Sequence, residues 1–235
     1  MKILAMETGQ KSCSAALMED GRILAEEVDN RGMTHSQTAV DMVGRLLEAA
    51  GWSAKEIELY AVTVGPGSFT GLRIGISAVK GLCFDGPAKI AAVSSLEALA
   101  ENYGGDGLIA PVIDARRDRV YGALFSCENG VLTRLMPDSL MEIDAFLSEI
   151  AGLCGKKSVF AVGDGANLCY NVKNKSCPLL QKPTRAEDPL RASSVGRVGL
   201  RLAQKGEVTD AEGLIPAYFQ KPKAERMRER AGQEL

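Results

Sequence analysis

Short apolar runs separated by polar or glycine-containing turns predict strands through the first hundred residues. The runs that fit a strand are residues 2–8, 12–18, 22–28, 59–64 and 89–93. Between the second and third runs, the sequence Glu-Asp-Gly-Arg at 19–22 is typical of a hairpin turn. The second and third strands are therefore expected to pair as a hairpin.

Helical periodicity appears after the third predicted strand. Apolar side chains recur at helical spacing over residues 36–50, at Ala39, Val43, Leu46, Leu47 and Ala50. Ser36 is the expected N-cap of this helix, and Gly51 ends it. A second helix is predicted at about 71–83, after a glycine-rich turn, and a short third helix begins at Ser95.

Three glycines in the segment 104–107 mark the best domain boundary, because they carry no side chain that could pack. Beyond it, strands are predicted at 108–114, 120–126, 131–136 and 159–162, and helices at 139–151 and 192–205. Three strands, a helix, a strand and a helix thus occur twice, at a period of about 100 residues. The repeat predicts two similar lobes around a cleft, residues 1–104 and 105–220. The basic tail, residues 221–235, is expected to be flexible.

Composition and charge are those of an ordinary globular protein. The 235 residues are 46% hydrophobic, and 28 Lys and Arg against 30 Asp and Glu leave a formal net charge of −2. This balance argues against a basic protein that binds nucleic acid on its own, because phosphate neutralisation dominates such binding. No run approaches the ~20 apolar residues of a membrane span. Glu7 interrupts the apolar start, so we expect a cytoplasmic protein with no membrane contact.

Cysteine and histidine usage removes several chemistries. None of the six cysteines lies at C-x-x-C spacing, so buried thiols are expected rather than a zinc or redox site. His35 is the only histidine, which excludes a zinc site with two or more imidazoles. His35 precedes Ser36, but neighbouring residues at a helix start seldom converge on one reacting atom, which disfavours a hydrolase dyad.

The glycine-rich segment 65–75, Gly-Pro-Gly-Ser-Phe-Thr-Gly-Leu-Arg-Ile-Gly, joins a predicted strand to a predicted helix. Such a junction is a usual place for an anion site. The segment nevertheless matches neither phosphate-binding fingerprint. Thr70 stands where the dinucleotide motif needs its third glycine, and the P-loop lysine is missing. A phosphate loop and a tight structural turn are both open interpretations.

The helix after this turn carries small residues on one face, at Gly71, Gly75 and Ala78. Small side chains allow a neighbouring element to approach closely. That neighbour is either this chain's own sheet or helix 36–50, or a partner protein. The spacing alone does not choose between them.

Five segments of the chain match a known pattern when they are taken together. They are Ile3–Thr8, Thr34–Ser36, Val62–Gly75, Ser94–Leu99 and Asp114–Arg117. In these segments the chain resembles the TsaB family, also called YeaZ, and the likeness is densest over residues 1–120. The resemblance implies an α/β fold of two duplicated, ribonuclease H-like lobes with mixed central sheets, as in the actin/Hsp70-like ATPases.

The resemblance also implies a function and a set of partners. TsaB proteins serve in making N6-threonylcarbamoyladenosine at position 37 of tRNAs that read ANN codons. The family member is a non-catalytic scaffold that pairs with its catalytic paralogue TsaD; the ATPase TsaE joins them, and tRNA is contacted through the complex. Pairing in the family uses the helices that match 36–50 and 71–83 here. The implied interface residues are Val43, Leu46, Leu47, Ala50, Gly71, Ile74, Gly75 and Ala78. A homodimer through the same surface is expected when the partner is absent, because an open apolar face tends to self-associate.

The catalytic paralogue has a metal-binding His-Leu-Glu-Ala-His type segment that this chain lacks. Residues 95–99 here are Ser-Leu-Glu-Ala-Leu. Serine is a poor ligand for Fe or Zn, and leucine has no donor atom, so both ligand positions are lost. We therefore expect no catalytic residue and no bound metal.

The nucleotide site implied by the fold is also altered. Glu7-Thr8-Gly9 stands where such ATPases usually have an aspartate, and the extra methylene moves the carboxylate. At the second phosphate turn, Asp114 is followed by Ala-Arg-Arg, and residues without the freedom of glycine obstruct close backbone approach to a phosphate. We expect no resident cofactor, with weak or interface-shared ATP or ADP at Glu7, Thr8, Gly9 and Asp114 as the alternative. A Glu7 carboxylate that is hydrogen-bonded near the lobe hinge is the favoured interpretation.

Two other functions stay open as alternatives. A stand-alone ATPase or small-molecule kinase of the same fold would hydrolyse ATP by itself and depend on Glu7. A metallo-glycopeptidase would bind stoichiometric metal. Arg116, Arg117 and Arg119 either contact tRNA phosphates or form an exposed polar turn, and the sequence fits both.

Overall fold

The protein folds around two five-stranded sheets. The computed structural model describes residues 1–31, 35–84, 86–177, 179–183 and 188–219, with the backbone alone at 35–37 and 173–176. The strands are β1 (Lys2–Glu7), β2 (Cys13–Glu19), β3 (Arg22–Asp29), β4 (Leu59–Gly65), β5 (Lys89–Ser94), β6 (Gly107–Asp114), β7 (Arg119–Glu128), β8 (Val131–Glu142), β9 (Val159–Val162) and β10 (Leu180–Gln181). The helices are α1 (His35–Ala50), α2 (Phe69–Leu82), α3 (Ser95–Tyr103), α4 (Ile143–Cys154), α5 (Ala166–Ser176) and α6 (Ala192–Gln204). The predicted tail 221–235 lies outside the described residues.

The two sheets have the same topology. Their strand orders are β3-β2-β1-β4-β5 and β8-β7-β6-β9-β10, so each strand has a counterpart in the other sheet. In both, the first strand pairs antiparallel with the second and parallel with the fourth. Each half, β1 to α3 and β6 to α6, therefore follows the order βββαβαβα. The predicted duplication and mixed sheets are confirmed, and the repeat is more complete than the sequence pattern suggested.

The structure corrects the predicted elements of the second half. The predicted helix 139–151 begins at Ile143, because residues 139–142 extend β8 and pair with β7, with Leu140 opposite Tyr121. Helix α5 and the two-residue strand β10 were not predicted. In the first half, α1 begins at His35, so the backbone places Ser36 inside the first turn rather than at the cap. The side chains of His35 and Ser36 lie outside the described residues.

The inner helices are exchanged between the two halves. Helix α6 packs on β1 and β4 of the first sheet, α3 packs on β6 and β7 of the second, and the two helices pack on each other. The close approach of α6 depends on glycine, since a Cβ on Gly199 would lie 2.5 Å from the Cβ of Ala61. One apolar core consequently runs through both halves, while α1 and α2 cover the outer face of the first sheet. The lobe limits 1–104 and 105–220 stay a prediction.

None of the helices in the described part of the chain is long and apolar enough to cross a bilayer. All six cysteines are buried and form no disulfide, which agrees with their expected role as small core side chains.

Candidate functional site

A polar cavity lies between the two halves at the carboxyl ends of the parallel strands, the usual position of a ligand crevice in such sheets. Its volume is about 470 Å³. The first half contributes Gly9–Lys11 and Gly67–Ser68, and the second half contributes Ile113–Arg116, Tyr121 and Asp164. We call this space the cleft cavity.

The Glu7 carboxylate does not reach the cleft cavity. Glu7 is fully buried, and its Oε1 accepts hydrogen bonds from the backbone N–H groups of Gly9 at 2.5 Å and Gln10 at 2.9 Å. Oε2 has no hydrogen-bond partner. Burial raises the pKa of Glu7 to about 7, against the opposing effects of the two N–H groups and of the nearby Thr63 hydroxyl, which itself makes no hydrogen bond. The longer acid thus turns inward beneath the β1–β2 turn, where it stabilises the turn instead of facing a ligand.

The end of β1 is joined closely to the start of α2. Thr8 Oγ1 donates a hydrogen bond to the carbonyl of Gly71 at 2.7 Å, and the N–H of Ser68 donates to the carbonyl of Gly9 at 2.8 Å. The Ser68 hydroxyl caps α2 by accepting from the Gly71 N–H at 3.2 Å. Of the two interpretations of the glycine-rich segment, this geometry is that of a tight structural turn. Its glycines let α2 lie directly on β1.

On the other side of the cavity, charged groups are paired within the chain. The Asp114 carboxylate accepts from the backbone N–H of Arg116 at 2.7 Å and from its Nη1 at 2.9 Å. Lys11 Nζ lies 3.5 Å from Asp164 Oδ2. Arg116, Arg117 and Asp118 all have a positive φ, of 66°, 56° and 57°, so the turn is formed by side-chain-bearing residues where a phosphate turn would have glycine. This arrangement leaves Asp114 committed to its own turn.

Residues 95–99, at the positions where the resemblance implies metal ligands in the catalytic paralogue, lie mostly in the interior. Leu99 packs in the shared core, and the Ser95 hydroxyl is buried without a hydrogen-bond partner. The Glu97 carboxylate pairs with Arg134 Nη2 at 2.9 Å. Within the described ranges, no group of three His, Cys, Asp or Glu side chains is placed to hold a metal ion.

The small face of α2 meets this chain's own sheet. A Cβ on Gly71 would lie 2.0 Å from the carbonyl oxygen of Thr8, and one on Gly75 would lie 2.4 Å from Thr8 Oγ1. Val43 and Leu46 of α1 are also buried. The other four residues implied by the resemblance are partly buried in the outer core; they are Leu47, Ala50, Ile74 and Ala78. Four of the eight residues are therefore enclosed by the chain itself and four are partly exposed, and the role of the eight in pairing stays a prediction.

Other residues form the outward surface of the same two helices. Val40 of α1 is 53% exposed, Phe84 just after α2 is 87% exposed, and Arg73 and Ser77 of α2 are exposed as well. These positions do not follow from the apolar stripe of the two helices, because that stripe faces the core. A helical wheel of each helix places these exposed residues on the face opposite the apolar stripe, and that position identifies them.

The fold and the cleft define a class of protein with two duplicated α/β halves on mixed sheets, here with a cleft whose acidic residues are engaged within the chain. The family model described as TsaD, tRNA N6-adenosine threonylcarbamoyltransferase, matches residues 22–227. The Bacillus subtilis tRNA threonylcarbamoyladenosine biosynthesis protein TsaB is 31% identical over 229 residues, which are 96% of each chain. The chain belongs to the TsaB (YeaZ) family.

Two other relatives show the extent of the likeness. The Escherichia coli protein TsaB is 38% identical over 136 residues, 56% of this chain and 58% of that protein. The solved structure of YeaZ from Pseudomonas aeruginosa superposes with a TM-score of 0.78 and 28% identity, covering 92% of this chain and 99% of the other.

Proposed function

We propose that this protein is a non-catalytic scaffold subunit in the formation of threonylcarbamoyladenosine on ANN-decoding tRNAs, and that it acts by pairing with the catalytic paralogue TsaD. TsaE and tRNA then join through the complex. The observation that carries the proposal is the burial of the α3 segment Ser95–Leu99 in a family whose catalytic paralogue binds metal there. The names of the relatives supply the pathway.

The rival function, a stand-alone ATPase or kinase, needs an acidic group that faces the nucleotide. Glu7 is enclosed and Asp114 is bound to its own turn, so neither carboxylate is free to hold a nucleotide-bound metal. This geometry favours a non-catalytic role for the chain over ATP hydrolysis by the chain alone.

A tRNA modification assay tests the proposed role. Purified alone, the protein is expected to form no threonylcarbamoyladenosine, whereas adding it to TsaD and TsaE is expected to raise the yield at least tenfold. Measurement is by mass spectrometry of digested tRNA. Product formed by this chain alone, or full activity of TsaD and TsaE without it, contradicts the proposal.

The pairing surface is proposed to be the outward face of α1 and α2. Val40→Asp and Ser77→Arg place a charge or a long side chain on that face without touching the core. Each variant is expected to lower co-purification with TsaD at least tenfold and to shift any homodimer towards monomer. Leu153→Asp is the matched control, because Leu153 is an exposed apolar residue on α4 of the other half. Unchanged pairing by both folded variants contradicts this surface.

A further inference from the structure

The last described segment of the chain, residues 209–219, runs back over the first half. We call it the strap. Thr209 and Ile90 exchange two backbone hydrogen bonds, at 2.9 and 2.8 Å, and Leu214 is buried in the outer core. Farther on, the N–H of Ala217 donates to the carbonyl of Val64 at 2.8 Å. The strap is therefore fixed to the ends of β4 and β5 before it reaches the cleft.

The end of the strap contacts both walls of the cleft cavity. The Tyr218 ring stacks on Phe69 with centroids 5.0 Å apart, and the Tyr218 hydroxyl accepts a hydrogen bond from Arg73 Nε at 2.8 Å. The adjacent Phe219 ring meets Tyr121 edge-on at 5.9 Å. Phe69 directly follows the cavity-lining Ser68, and Tyr121 itself lines the cavity from the second half.

An ion pair beside the cavity is weak by comparison. Lys11 and Asp164 approach to 3.5 Å, but Lys11 is exposed, and exposed ion pairs contribute little. Away from the mouth, the halves are held by the packed layer of α3 and α6. Aromatic contacts from the strap thus join the halves at the point where the helical layer does not reach.

We propose that the strap is a latch that sets the opening of the cleft. Tyr218 and Phe219 hold the two halves together at the mouth of the cavity, and their release lets the halves move apart about the α3–α6 layer. This inference does not depend on the proposed tRNA function. It assigns a conformational role to two aromatic residues that lie outside both predicted sites.

Distance measurement across the mouth tests the latch. Ser77→Cys and Arg117→Cys are exposed sites on opposite halves for spin labels, and the native thiols are all buried. Labelled protein is diluted with an excess of unlabelled protein, so that only distances within one molecule contribute. Tyr218→Ala with Phe219→Ala is expected to broaden the distribution and shift it to longer distances.

The control is Ile215→Ala, in the same strap but 69% exposed, which is expected to keep the native distribution. Hydrogen exchange supplies a second readout: the latch variant is expected to speed exchange at least tenfold at the Ala217 and Ser68 amides and not in α4. If the double variant does not fold, Phe219→Leu replaces it. Unchanged distances in the folded variant, or a uniform rise in exchange through the whole molecule, overturn the proposal.

Discussion

At the scale of single residues, the inward orientation of Glu7 keeps its carboxylate out of the cleft cavity. Glu7 occupies the position at which an aspartate is usual, and its longer side chain folds back to accept two backbone N–H groups. The cost is a fully buried carboxylate with one oxygen unpaired. Burial disfavours the charged form of a carboxyl group, and this burial raises the pKa of Glu7 to about 7.

Glu7→Gln tests this burial. The pKa of Glu7 is raised from 4.5 in the unfolded chain to about 7 in the folded protein, so the folded state holds the proton more tightly. Wild-type stability is therefore expected to fall as pH rises from about 4.5 to 7, by up to about 3 kcal/mol, and to level off above that range. A glutamine keeps the acceptor oxygen and stays neutral, so the variant is expected to lose this decline.

Denaturant unfolding at several pH values measures the effect. Glu149→Gln, an exposed change on α4, is the control and is expected to keep the wild-type pH dependence. If Glu7→Gln shows the same decline between pH 4.5 and 7 as wild type, the carboxylate is not the group responsible.

The hydrogen-bonded Glu7 carboxylate that the sequence favoured is confirmed, but the groups that bind it could not be predicted. The altered acid and the glycine-poor turn after Asp114 were visible as departures from a nucleotide site. Whether Glu7 points into the cleft or under the β1–β2 turn depends on the tertiary packing that encloses it, which no local pattern encodes.

At the scale of elements, α2 shows why a stripe of small residues is ambiguous in sequence. Gly71 and Gly75 allow the helix to touch β1, and the residues that could meet a partner lie on the opposite side. The pattern predicted the helix and its small face correctly. Periodicity could not tell which of two surfaces the small face meets, because close packing on a sheet and on a partner need the same residues.

Gly71→Ala tests whether the small face of α2 packs on this chain's own sheet. Its Cβ would lie 2.0 Å from the carbonyl oxygen of Thr8, so the helix must shift, and a loss of about 3 kcal/mol in unfolding free energy is expected. Gly81→Ala is the matched control in the same helix, since nothing lies within 4 Å of its Cβ. This control is expected to gain up to about 1 kcal/mol from helix propensity. Equal stability of the two variants in urea would show that α2 does not depend on close contact with β1.

Elements of the second half were harder to predict. The first three strands and α4 follow clear apolar patterns, whereas the apolar side chains of α5 are interrupted by polar residues, and β10 has two residues. The end of β8 was mistaken for a helix start because Leu140, Met141 and Ile143 fit either period. Pairing with β7 makes these residues a strand, and such pairing depends on tertiary structure rather than on the local sequence.

At the scale of the whole molecule, the exchanged helices make the two halves a single cooperative unit. Each sheet relies on a helix from the other half for its inner cover. Trp52, the only tryptophan, lies in the first half next to Lys2, while the far-ultraviolet circular dichroism reports both halves. The two signals are expected to change at one common temperature.

Gly199→Val tests the same coupling. The new side chain would displace α6 from Ala61, and a loss of about 3 kcal/mol, or about 6–12 °C in Tm, is expected in both signals together. Gly152→Ala in α4 has open space around it and is expected to leave Tm nearly unchanged. Two separate transitions in the wild-type protein would show that the halves unfold independently.

The exchange of α3 and α6 also affects the order in which the molecule is completed during synthesis. When β5 leaves the ribosome, the inner face of the first sheet lacks its main cover, because α6 follows about 100 residues later and α3 contacts only β4 and β5 of this sheet. At ~5–20 residues per second, that interval is about 5–20 s. The nascent chain thus carries an exposed apolar surface for seconds, and it is in this period, rather than after release, that chaperone binding should be strongest.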